Sequence, residues 1–289
     1  MANIENSGAV LKAAVNGFYS IQHSRIQIGN AVVDNFKKKI GQDASKSEDT
    51  LDADAKILLS NLRVSYKKIT DGVVSMTPRK FKKAGLISRY SELVLVTQYV
   101  NLVEAEETAF KQLKYALDEF PIWTEFLKDV KGIGPTMGAV VIASFDIHKA
   151  QYPSSLHAYA GLDVVNGEGR SRKKEHLVDQ TYIDADGKEQ TKKGISFNPF
   201  VKTKLVGVLG SSFVKTKGVY RDIYDNYKNR ITNMPAHAEK TKAHINNMAI
   251  RYTVKRFLVD LYVEWRKLEG LPVAEEYSKA KLGINHKVA

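Results

Sequence analysis

The triplet Gly132-Ile133-Gly134 constrains this chain more tightly than any other segment. In FLKDVKGIGPTMGAVVIA an apolar-rich helix runs into the triplet, and a second helix starts at once with Pro135 in its first turn, where an amide hydrogen is dispensable. This is the spacing of a helix-hairpin-helix. Glycines permit the tight turn, and the amides at the second helix's N-terminus point outward, where they suit phosphate oxygens without reading bases. Ile133 is expected to tuck inward as the anchor, with Lys131 and Thr136 adding a charge and a hydroxyl at the same phosphate. A Gly-x-Gly-Pro turn also serves simply to join two helices, so the surrounding charge has to decide.

Lys and Arg number 44 against 32 Asp and Glu in 289 residues, a formal net charge of +12. Residues 1–130 carry 18 basic and 16 acidic side chains and residues 131–289 carry 26 and 16, so the excess is +2 in the first part and +10 in the second. Lysines kept for solubility would spread over the whole surface. Their concentration in the second half points to a polyanionic partner held there. The lack of cysteine excludes disulfides, thiolate metal sites and cysteine nucleophiles, and fits a reducing compartment such as the cytoplasm. The opening MANIENSGAV has no basic segment followed by an apolar run, and the longest apolar stretch, Met137 to Phe145, is too short to cross a bilayer. Neither secretion nor a membrane location is expected.

Apolar residues recur at helical spacing from Val10 to Ile40 and from Asp52 to Ile69, separated by Gly41 and a polar stretch. Thr77 and Pro78 make a helix start, and Leu86 to Phe120 reads as one long helix. Residues 1–120 are thus expected to form a helical bundle, residues 121–270 a helical domain holding the hairpin turn, and residues 271–289 a loosely attached tail. Within the second domain TYIDADGKEQTKKG has the flanks and Asp-Gly turn of one small β-hairpin, and helices follow at Pro199 to Lys217, Val219 to Ile231 and Glu239 to Glu269. The fold class is mainly α. Asp184, Asp186 and Gly187 are turn chemistry, since a calcium loop needs an acidic ligand where Tyr182 stands.

A second basic element, Arg170, Arg172, Lys173 and Lys174, precedes the β-hairpin, and Lys188, Lys192 and Lys193 lie on its returning side. Gathered together, seven cations would displace counterions from a phosphate backbone and give salt-sensitive binding with little sequence preference; the plainer alternative is a solvated loop. Gly167, Glu168 and Gly169 lack the Lys-Ser/Thr ending of a nucleotide-binding loop. On the last helix His244, Asn247, Arg251 and Lys255 fall on one line between apolar flanks, a stripe that either lines a polar groove or satisfies itself inside a helical interface. Tyr220, Tyr224 and Tyr227 line up on VYRDIYDNYKNRI, where packing is the simpler explanation and stacking on bases the other. His237, Glu239 and His244 lack the spacing of a helical metal pair, so neither metal nor cofactor is expected.

From VKGIGPTMGAVVIA through HAYAGLD at His157 to Asp163 and GEGRSRKK to MAIRYTVKRFLVDLYVEWRKLEG, roughly residues 122–269, the chain resembles the C-terminal domain of insertion-sequence transposases whose N-terminal domain is RuvC-like, a group that includes RNA-guided bridge recombinases. The resemblance implies binding to mobile-element DNA and guide RNA, with catalysis shared between N-terminal acidic residues and a C-terminal serine. Two departures stand against catalysis. Residues 1–120 show helical periodicity with no strand ending in a lone Asp, and Asp52, Asp54, Glu104, Glu106 and Glu107 read as solvated helix faces. The family's Ser-Gly pair aligns with Glu168 and Gly169, leaving Ser171 to take over only if the loop register shifts. A serine without an activating base is a weak nucleophile. The expectation is therefore a non-catalytic binder of DNA or RNA from a phage or mobile element, with self-association through the N-terminal helices. An active recombinase and a helical scaffold are the alternatives.

Overall fold

The computed structural model describes residues 4–39, 41–43, 45, 51–54, 56, 57, 60, 61, 77–81 and 87–275. The protein is mainly helical, and no helix is long and apolar enough to cross a membrane among these residues. The chain divides into two compact units, Ala13–Leu113, and Met1–Lys12 with Lys114–Ala289.

The first unit is built from α1 (Ile4–Lys39) and α2 (Tyr90–Asp118), both of which run past its limits. Val32 and Phe36 of α1 close on Leu51, Ile87, Leu93 and Val96 to form its core. Glu92 organises the start of α2: its carboxylate accepts from the amides of Ser88 and Arg89 and from the Lys39 ammonium. Glu106, one of the acidic candidates, accepts from Gln22 and pairs with Arg25. The expected helix from Asp52 to Ile69 lies largely outside the described residues. The expected start at Thr77-Pro78 is a turn over residues 78–80. No strand occurs in this unit among the described residues.

In the second unit α3 (Pro121–Glu125), a 3-10 turn at Leu127–Asp129 and α4 (Pro135–Ser144) make the helix-hairpin-helix. The small residues of α4 have a reason: a Cβ on Gly138 would lie 2.7 Å from the Trp123 ring, so α3 and α4 can meet only at glycine. α5 (Pro153–Tyr159) ends where Gly161, at φ +64, reverses the chain.

Two antiparallel pairs follow, where the sequence predicts one. β1 (Val164–Val165) and β2 (Glu168–Gly169) flank Asn166 and Gly167, both at positive φ, the geometry of a two-residue hairpin turn. β3 (Val178–Ile183) pairs with β4 (Glu189–Gly194) around an Asp184 turn whose carboxylate accepts from the amides of Asp186 and Lys188.

The segment predicted as one helix from Pro199 is broken into α6 (Pro199–Lys202), a π-helical stretch at Thr203–Leu209 and α7 (Gly210–Lys215). α8 (Val219–Thr232) and α9 (Lys242–Leu268) complete the unit. The core of α7, α8 and α9 is aromatic: Phe213, Tyr220 and Phe257 meet at centroid distances of 4.5 to 5.5 Å, tilted or edge-on.

Residues 271–275 are tied to the helical domain, and the rest of the expected tail, residues 276–289, lies outside the described residues. The buried Arg266 donates to the carbonyl of Pro272 as well as to those of Ile147 and Ala150, and the Ala274 amide donates to the Tyr262 hydroxyl.

Candidate nucleic-acid interface

The hairpin turn is shaped by its two glycines in different ways. Gly132 sits at φ +99 with its Cβ position 3.1 Å from the Phe213 ring, and its carbonyl accepts from the Ser212 hydroxyl at 2.7 Å. One side of the turn is therefore closed by α7. Gly134 is extended at φ −100 with open space around it, and caps α4 without any side chain contributing a hydrogen bond. The first-turn amides of α4 are left to solvent or to a ligand. Ile133 is buried and its amide donates to Val130, so that amide belongs to the turn and not to a phosphate. Lys131 is exposed and Thr136 half-buried.

A second site forms where the glycine-basic loop meets α6 and α9. The Arg170 guanidinium grips both oxygens of Asp163 at 2.7 to 2.9 Å and donates to the Ser196 hydroxyl. Lys202 donates to the Arg170 carbonyl at 2.5 Å and sits 4.6 Å over the Phe197 ring. Arg251 donates to the Gly161 carbonyl at 3.4 Å, and its guanidinium packs so close to Gly169 that a Cβ there would lie 2.8 Å away. Arg172 is near enough to repel Lys202 as well. Arg170, Lys202 and Arg251 thus gather around one carboxylate, with Arg172 close to Lys202.

The electrostatics record this imbalance. Burial first, then the charge of Arg251, with Arg170 and Arg172 adding, pulls the Lys202 ammonium down to about 8 against the opposing pull of Asp163. Burial also lowers the Arg251 guanidinium below its ordinary value, with Asp163 again opposing. Asp163 holds Arg170 in its charged form through their hydrogen bonds.

The remaining basic residues do not join this cluster as one patch. Lys173 pairs with Glu168 at 2.5 Å and Lys193 with Asp179 at 2.8 Å. Because Lys193 faces Asp179 and Lys192 faces Gln180 across the ladder, the two lysines project from opposite sides of the β-hairpin, Lys192 lying 4.7 Å over the Tyr182 ring. Lys188 belongs to the hairpin loop and Lys174 opens a 3-10 turn ending at His176, both exposed. On α9 Arg251 faces the cluster, and one turn further on the backbone carbonyl of Lys255 accepts from His157 Nε2 at 3.1 Å. Burial, reinforced by the charge of Lys255, lowers His157 to about 4, so its ring is neutral at pH 7.

Ser171 has a partner that sequence did not disclose. Its hydroxyl lies 2.9 Å from His176 Nδ1, which also accepts from the Ser171 amide at 3.0 Å. With Nδ1 fixed as an acceptor by the amide, the serine hydroxyl donates to it. Lys202 and Asp163 were likewise missed. Asn198 caps α6 by accepting from Phe200 and Val201 amides, and Pro199 follows it. That start signal puts Lys202 in the first turn, where the helix dipole disfavours a cation. The anomaly was the available clue.

Among the described residues no group of three or more His, Asp or Glu is placed to hold a metal ion. No family model matches the chain, and neither a curated protein nor a solved structure matches it.

Proposed function

We propose that the chain binds DNA or RNA through phosphate contacts with little dependence on base sequence, as a non-catalytic relative of the transposase C-terminal domain. The gathering of Arg170, Lys202 and Arg251 around the single carboxylate of Asp163, with Arg172 close to Lys202, carries this reading. Cations forced together with too few acidic partners are stabilised by a bound polyanion, and a phosphate backbone supplies charge at regular spacing. The uncapped N-terminus of α4 beside Gly134 offers neutral donors to another phosphate of the same strand. The N-terminal helices are proposed to serve self-association.

Binding of labelled single-stranded RNA, single-stranded DNA and duplex at several salt concentrations tests the proposal. Affinity is expected to fall steeply with salt, and Lys202→Met with Arg251→Met to reduce both affinity and slope. No salt-sensitive binding to any of the three would sink it.

The Ser171–His176 hydrogen bond favours a second reading, an active recombinase in which His176 accepts the Ser171 proton as the hydroxyl attacks a phosphodiester, forming a serine–phosphate ester while the P–O bond to one deoxyribose breaks and that oxygen leaves as a hydroxyl, protonated from His176. Incubation with element ends and magnesium should then yield a covalent protein–DNA adduct that Ser171→Ala and His176→Ala both abolish. Absence of any adduct in the unaltered protein removes this alternative.

A further inference from the structure

We propose that the cleft between α8 and α9 holds an unpaired base of a single-stranded nucleic acid, a specification that rests on the nucleic-acid reading above. The cleft has a volume of about 250 Å³ and is lined by Ile223, Asn226, Tyr227, Arg230, Tyr252, Arg256 and Asp260. This lies just below the roughly 300–1,000 Å³ of pockets for drug-sized ligands and suits one planar base.

Tyr227 and Tyr252 stack face to face, with centroids 3.9 Å apart and planes 10° from parallel. The aromatic core of the same unit is tilted or edge-on, with Phe213–Phe257 at 60° and Tyr220–Phe257 at 86°. The half-buried tyrosine pair is instead a parallel stack. A parallel stack is the arrangement that a nucleobase extends, since every base has a π face and stacking on aromatics tolerates any sequence.

The rim supplies the other groups a nucleotide needs. The Arg230 guanidinium lies 5.0 Å over the Tyr227 ring, and Arg256 lines the same cleft, two cations for a phosphate. Asn226 and Asp260 offer an amide and a carboxylate to the edge of a base, Asp260 also accepting from the Tyr220 hydroxyl at 2.9 Å. The cleft and the cationic cluster share α9: Arg251 faces the cluster, and Tyr252, the next residue and about 100° round the helix, lines the cleft.

The test compares oligodeoxythymidylate, an abasic strand of equal length and a duplex, each labelled, by fluorescence anisotropy with the full chain. Thymidylate is expected to bind about tenfold more tightly than the abasic strand at the same salt, within the range that stacking of a base supplies. Tyr252→Leu should remove the difference between thymidylate and abasic strands, and Asn226→Ala, at an exposed position, should reduce it. Equal affinity of the unaltered protein for thymidylate and abasic strands overturns the cleft proposal while leaving phosphate binding intact. Failure to bind any of the three strands overturns the nucleic-acid reading itself.

Discussion

The Lys202 ammonium donates to the carbonyl oxygen of Arg170, 2.5 Å away, so the backbone of one cation anchors the charge of another. Its folded value of about 8 is below the 10.5 of the unfolded chain, so the charged form is the disfavoured one. Stability is therefore lower below pH 8 and recovers as pH rises from 8 toward 10.5. Lys202→Met is expected to stabilise the protein at pH 7 by about 1 kcal/mol, a figure discounted for the partly exposed side chain. The same substitution should lower the salt slope of nucleic-acid binding by about one. Urea unfolding and titrations at several salt concentrations read the two effects, and lost affinity without a stability gain would contradict the account.

The two glycines of the hairpin turn should respond differently to alanine. At Gly132 a side chain meets both a positive φ and the Phe213 ring, so Gly132→Ala is expected to cost about 2 kcal/mol or more. At Gly134 the φ is ordinary and the space open, so Gly134→Ala should change stability by no more than about 0.5 kcal/mol while weakening polyanion binding several-fold by shielding the α4 amides. Thermal melts and anisotropy titrations of both variants separate fold from function at one turn.

His157 makes stability depend on acid. Its value is about 4 when folded and 6.5 when free, so the unfolded chain binds more protons between those values and stability falls as pH drops from 6.5 to 4. The loss attributable to this residue is at most about 3 kcal/mol. Urea unfolding of the unaltered protein and of His157→Gln at pH 7.5 and 4.5 should show a steeper decline in the former. Parallel declines would assign the acid sensitivity elsewhere.

Arg266 fastens the segment after α9. Arg266→Met leaves the carbonyls of Ile147, Ala150 and Pro272 without this donor, and a loss of about 3 kcal/mol is expected. Proteolysis should then begin just beyond Gly270 before the rest of the domain is cut. The order of cleavage products, read by mass spectrometry, checks this.

Helical segments and the Gly-Ile-Gly turn were legible because they announce themselves locally, through apolar period and glycine. The Asn166-Gly167 turn was equally local, yet its flanks of two residues were too short to register as strands, and the stretch read as a basic loop. Cation placement was legible only in part. Lys192 and Lys193 are neighbours in sequence, and the pleat sends them apart. Lys202 is 32 residues from Arg170, and only the folded chain joins them. His176 lies five residues from Ser171, but its role needed the 3-10 turn that swings its ring back.

The π-helical stretch at Thr203–Leu209 sets the direction in which Lys202 points. The Gly210 amide donates to the carbonyl of Leu205, five residues back, so the segment holds one residue beyond α-helical register. Removing one residue from the stretch would restore the α-helix and rotate everything before it by about 100° relative to α7. Lys202 would swing away from Arg170, and a reading frame shortened by three bases would lose the anchored cation while keeping the aromatic core.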